Sequence, residues 1–175
     1  MKTFILSISL LFCTCLCNAQ FALTPNGLVS SADESKRSVS YEFKGLMQNY
    51  LYSRILPFVE EHFTNARDHI DEKEPEYVIV EGIGINKIGL GAIKGNIIFN
   101  LSINIENNKL IYEVSELTFS NALLVESGDS KKDYIFNKDG EIQNQALKKQ
   151  VEEYFNTLVD TINSYITTTA GVDWL

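Results

Sequence analysis

The sequence predicts an α+β fold in which an antiparallel sheet of about four or five strands carries two helices packed on one face, in the order β-α-β-β-β-(β)-α. Three stretches predict it. Gly95 to Phe119, GNIIFNLSINIENNKLIYEVSELTF, alternates with period two. Its first arm sets Ile97, Phe99, Leu101, Ile103 and Ile105 against Ile98, Asn100, Ser102 and Asn104, the pattern of an antiparallel hairpin covered on one side. Near the end of the chain, Leu147, Val151, Tyr154, Phe155, Leu158, Ile162, Tyr165 and Ile166 recur at threes and fours, the stripe of an amphipathic helix. An earlier stretch repeats that spacing with Leu51, Ile55, Phe58, Val59 and Phe63.

The first residues, MKTFILSISLLFCTCLCNAQ, join Lys2 to a short apolar run and end in Cys17-Asn18-Ala19. A basic start, an apolar centre and small residues at the cleavage positions are the marks of a secretory signal peptide, and the run is shorter than the roughly 20 residues needed to span a bilayer. Residues 1–19 are therefore expected to be removed after Ala19, placing the chain in the periplasm or cell envelope with no membrane insertion afterwards. All three cysteines lie inside that segment, so an exported mature chain has no disulfides and depends on its core. Losing Lys2 takes the formal net charge from −8 to about −9, which repels phosphate backbones and anionic lipid headgroups. Nucleic acid is not an expected partner.

Residues 20–37 form a leader or short hairpin around the turn formers Pro25-Asn26-Gly27. A single domain is expected over 38–167. Its first strand is Ser38 to Phe43, with Val39, Tyr41 and Phe43 on one side. A helix follows from about Met47 to Asn65, kinked at Pro57, which has no N–H for the carbonyl of Ser53. Arg67 to Glu76 reads as a charged connector. Tyr77 to Ile85 is rich in β-branched residues and reads as a strand. Its Gly82 and Gly84 fall on the same face, where a helix could approach closely. Asn86 to Lys94, NKIGLGAIK, reads as a flexible connection into the central hairpin. The hairpin turns at Glu106-Asn107-Asn108-Lys109, and its second arm changes phase between Val114 and Leu117, which a bulge near Ser115-Glu116 would correct. Ser120 to Lys132 reads as a solvated loop, Asp133 to Phe136 as a short last strand. The final helix is expected from about Gln143 to Thr167, with a frayed tail over 168–175.

With these elements placed, the chain resembles the secreted domains of unknown function with a TATA-box-binding-protein-like (TBP-like) fold, found mostly in Bacteroidetes-type gut bacteria. Val39 to Phe63 carries one part of the likeness: a short strand, Phe43-Lys44-Gly45-Leu46, then a helix bearing Tyr50 and Tyr52 and ending in Glu61-His62-Phe63. Tyr77 to Gly84 and the hairpin with its Asn107-Asn108-Lys109 turn carry the other. Pro57, and the lack of a tryptophan near the helix centre, depart from the pattern. The resemblance implies the TBP-like fold and an envelope location, and brings no catalytic residues. Kinship with a DNA-binding fold implies nothing about DNA.

No stretch carries a recognisable reaction chemistry. Gly82, Gly84, Gly89, Gly91 and Gly95 match neither phosphate-binding spacing, and a strand follows them where a helix N-terminus is needed. His62 and His69 stand seven apart near an acidic run, without the pairing of a metal site. Asn137 to Ile142 superficially suggests a calcium loop, but its ligand positions would fall on Ile135 and Ala146. A carboxylate pair such as Glu81 with Glu113, read as lying on neighbouring strands, could serve acid–base work, although solvated outward charges on a sheet are far commoner. No catalytic residue, cofactor or metal is therefore assigned. The expectation is a non-enzymatic envelope module that binds a protein or small ligand through the uncovered sheet face, with Ile98, Asn100, Ser102, Asn104, Ile111, Glu113 and Ser115 as the candidate interaction residues. The alternatives are a hydrolase whose carboxylate-based site lies beside the Asn86–Lys94 segment, or an accessory subunit of an envelope assembly pairing through an edge strand.

Overall fold

The computed structural model describes residues 20–63, 70–90, 93–120 and 135–170. The expected signal peptide, His69, most of the Ser120–Lys132 loop and the end of the tail lie outside these residues. Nine elements follow in order: β1 (Phe21–Thr24), β2 (Gly27–Ser30), β3 (Ser38–Glu42), α1 (Gln48–His62), β4 (Ile70–Lys73), β5 (Tyr77–Leu90), β6 (Ile93–Glu106), β7 (Lys109–Ser120) and α2 (Gln145–Ala170). The last five strands form one antiparallel sheet in the order β3-β7-β6-β5-β4. β1 and β2 form a separate hairpin.

The central hairpin takes the expected form. Ile97, Phe99, Leu101, Ile103 and Ile105 are buried, as are Leu110, Tyr112 and Val114 of the returning arm. Glu106 pairs with Lys109 across the turn. The phase change is a bulge: Ile98 faces Thr118 and Asn100 faces Ser115, so Phe99 alone opposes Glu116 and Leu117, with Glu116 at a φ of 52°. The Asn107-Asn108 turn also fastens the β3–α1 connection. Asn108, at a φ of 62°, accepts the Gly45 N–H on its side-chain oxygen at 2.8 Å, while the Gln48 N–H donates to Asn107 Oδ1 at 3.1 Å.

Both helices lie on one face of the sheet. α1 buries Leu51, Tyr52, Ile55, Phe58 and Val59, and continues through Pro57 to His62. α2 is capped at its start by Asn144, whose side chain accepts the Leu147 N–H at 3.0 Å. It buries Leu147, Val151, Phe155, Val159, Ile162 and Ile166. Val159 takes the central place expected of Leu158, which packs at the margin. The helix runs to Ala170, so the tail expected to fray at residue 168 begins as helix.

One open alternative resolves, and three further expectations change. The leader is a hairpin that completes the helical layer: Phe21, Leu23, Leu28 and Val29 are buried, and the Asn156 side chain of α2 bonds both the N–H and the C=O of Phe21, at 2.8 and 3.1 Å. The charged connector contains β4, paired with Tyr77–Val80. An edge strand needs only one inward side chain, here half-buried Ile70, so its charge hides it. The Asn86–Lys94 segment is no free connection, since the β5–β6 ladder resumes at Ile88↔Gly95 and continues to Leu90↔Ile93. Of the short strand expected over Asp133 to Phe136, residues 133 and 134 lie outside the described residues, and Phe136 makes an isolated bridge with Ile142. There Asn137 Oδ1 accepts the N–H groups of Asp139 and Glu141, so the calcium-like stretch is a side-chain-closed turn.

Candidate functional site

Period-two alternation places the proposed residues together on the face of the sheet opposite the helices. Ile98, Asn100, Ser102, Asn104, Ile111 and Glu113 are half-buried and Ser115 is exposed. The strand register arranges them in rows. Asn104 lies between Tyr77 and Ile111, Ser102 between Ile79 and Glu113, Asn100 between Glu81 and Ser115, and Ile98 between Ile83 and Thr118. β6 thus presents a ladder of amide and hydroxyl groups, with carboxylates on either side. The bulge adds to it: Asn100 Nδ2 donates to Glu116 Oε2 at 3.1 Å.

The sequence reading does not single out the β5 column of this surface. Tyr77 and Ile79 are half-buried, while Ile83 and Ile85 are 54% and 65% exposed. Their partners in alternation, Val78, Val80, Gly82 and Gly84, all face the core. The signal was therefore present: two glycines turned inward oblige the intervening isoleucines to turn outward.

Those glycines have distinct reasons. A Cβ on Gly84 would lie 2.8 Å from Cζ of Tyr154, the close helix approach the spacing suggests. A Cβ on Gly82 would instead enter the ring of Phe99, its neighbour across β6.

The other candidate chemistries fare as follows. Glu81 and Glu113 do not sit on neighbouring strands, because β6 runs between β5 and β7. Two inter-strand spacings of about 4.8 Å separate their strands, too far for a proton-sharing pair. His62 is spent structurally: its ring stacks on Phe58 at 3.8 Å and its Nδ1 lies 3.0 Å from the Phe58 carbonyl oxygen. Among the described residues no three His, Cys, Asp or Glu side chains gather as metal ligands. No described helix is long and apolar enough to cross a membrane.

Three tyrosine hydroxyls tie the layers together. Tyr112 donates to Asn163 Oδ1 at 2.6 Å inside the core, Tyr52 to Glu72 Oε2 at 2.6 Å, and Tyr41 to Asp160 Oδ1 at 3.1 Å. Burial, reinforced by the facing carboxylates, pushes Tyr41 and Tyr52 up to about 12. Burial holds Tyr112 well above the usual phenol value.

A sheet of five antiparallel strands backed on one face by two helices, its other face uncovered by the described residues, defines an α+β domain with a TBP-like fold. Two solved structures are similar to it. A TBP-like protein from Parabacteroides distasonis ATCC 8503 superposes with a TM-score of 0.58 at 12% identity, over 74% of this chain and 90% of that one. A DUF4468 family protein from Bacteroides ovatus ATCC 8483 gives 0.53 at 12% identity, over 74% and 83%. The likeness is one of fold, as the resemblance over residues 38–119 implied. No family model matches the chain, and no curated protein matches it.

Proposed function

We propose that the chain is an exported, non-enzymatic module of the cell envelope that receives a protein or small ligand on its open sheet face. The observation that carries this reading is the β5 column. An antiparallel sheet facing only water is expected to be polar on that side, yet Ile83 and Ile85 stand exposed, with Ile98 in the adjoining β6 column and Ile111 one strand further on. Apolar groups beside a ladder of Asn and Ser combine buried contact with hydrogen bonds that fix register, the composition of a recognition surface. The acidic balance supports a partner other than nucleic acid. Export rests on the composition of residues 1–19.

The test pairs two measurements. Mass spectrometry of protein from an envelope fraction should find the mature chain starting at Gln20. Asn100→Arg with Ser102→Arg should abolish recovery of the partner from envelope extracts while leaving the melting temperature unchanged. Undiminished recovery with that pair of arginines removes the face from consideration.

A further inference from the structure

A second surface, on the helical side of the molecule, carries a site of its own. The β5 register breaks between Gly84 and Ile88. Asn86 there adopts a φ of 55°, and its N–H donates to Asn96 Oδ1 at 2.9 Å. Beyond the break, the Gln150 side chain of α2 accepts the Gly89 N–H at 2.8 Å and donates to the Gly89 carbonyl at 3.1 Å. The hairpin is thereby clamped to the helix, and Lys87 is set beside α2. Irregularities of this kind re-aim one side chain from a regular sheet.

Lys87 and α2 border an open groove of about 360 Å³, lined from the helix by Gln150, Glu153, Tyr154, Thr157, Leu158 and Thr161. The size matches the lower range of small-molecule sites. Its polar groups are unequally committed. Glu153 pairs with Lys149 at 3.3 Å, and Thr161 donates to the Thr157 carbonyl. Neither the Lys87 ammonium nor the Tyr154 hydroxyl bonds another described residue. Gly84 leaves the space that Tyr154 occupies: its hydroxyl oxygen lies 2.9 Å from where a Cβ would stand. Burial pushes that hydroxyl up to about 12, so it is a donor at neutral pH.

We propose that this groove binds a small organic anion, its oxygens received by the Lys87 ammonium and the Tyr154 hydroxyl and its apolar body lying over Leu158. Carboxylates and phosphate monoesters share this chemistry. The site is independent of the open sheet face, and either can fail without the other.

Titrations of the ¹⁵N-labelled mature chain with hexanoate, hexyl phosphate and neutral hexanamide test it. Either anion, or both, should shift the amide signals of Lys87, Tyr154 and Thr157 with millimolar affinity, and the stronger one identifies the head group. Lys87→Gln should weaken that binding about tenfold, the loss of one charge-assisted contact. Lys94→Gln, on the adjoining strand, should leave it unchanged, and both variants should melt as the parent does. Equal shifts with hexanamide, equal losses from the two lysine variants, or no shifts at these residues would each overturn the assignment.

Discussion

Replacing Gly82 by alanine tests how tightly the sheet is packed under its helices. The added methyl would stand 2.6 Å from Cε2 and 3.0 Å from Cε1 of Phe99, and closer still to Cζ. Carbon atoms prefer about 3.5–4.0 Å, so the ring must retreat by roughly an ångström. It has little room. Phe99 is fully buried, with edge-to-face contacts to Phe155 at 4.9 Å, Tyr154 at 5.9 Å and Phe63 at 6.3 Å between centroids. Overpacking a well-filled core costs about 1–3 kcal/mol, and an aromatic cage on three sides places this case near the top. Alanine recovers about 0.5–1 kcal/mol by restricting the unfolded chain. The balance is a destabilisation of about 2 kcal/mol, or roughly 6 °C for a domain of this size. Urea unfolding followed by circular dichroism measures it. Adding Phe99→Leu should relieve the clash, so the double variant should lose at least about 1 kcal/mol less than the sum of the singles. A Gly82→Ala protein within about 0.5 kcal/mol of the parent, or strictly additive losses, would refute the reasoning.

Other perturbations follow from the same contacts. Asn108→Ala removes the acceptor of the Gly45 N–H and leaves at a φ of 62° a residue that tolerates the left-handed region less well than asparagine, costing about 2 kcal/mol in urea unfolding, whereas Asn108→Gly adopts that backbone freely and should cost about half as much; equal losses would show that the turn conformation is not strained. Tyr112→Phe leaves Asn163 Oδ1 without its donor, beside an Nδ2 that has no partner among the described residues, costing about 1–3 kcal/mol. Adding Asn163→Leu should restore part of it, and a double variant weaker than the single would contradict this account. Alkali should also unfold the protein. The folded state holds Tyr41, Tyr52 and Tyr154 near 12 against an ordinary 10, so the stability they contribute is complete below pH 10 and is lost as pH rises toward 12. Urea midpoints that stay flat across that interval would show that these hydroxyls are not held as described.

How much of this was written plainly in the amino-acid order depends on whether each signal is local. The hairpin and α2 are readable because period two and period 3.6 persist for many residues. Even the bulge at Glu116 is visible as a lost beat between Val114 and Leu117. β4 is not readable, because a four-residue edge strand, IDEK, with a single half-buried side chain has no pattern to show. The far end of β5 is obscured for a different reason: the irregularity at 85–87 breaks the alternation, and the Gln150 clamp that holds it lies 61 residues downstream. The open face was legible on β6 and β7, and on β5 only indirectly, through the two glycines that turn inward there. The Lys87 groove was not legible at all, since its walls meet only when the hairpin reaches α2.

The start of α1 has an implication for how the protein is made. Met47, at its N-cap, supplies no side-chain hydrogen bond, and no acidic residue stands in the first turn. The acceptor for the Gln48 N–H comes from Asn107, 59 positions later. A ribosome releases the chain from the N-terminal end, so the first helix emerges before the residue that finishes it. The β3–α1 half cannot complete its helix start until the hairpin turn has also emerged, and a chain truncated short of Asn107 should remain open to proteases around residue 48.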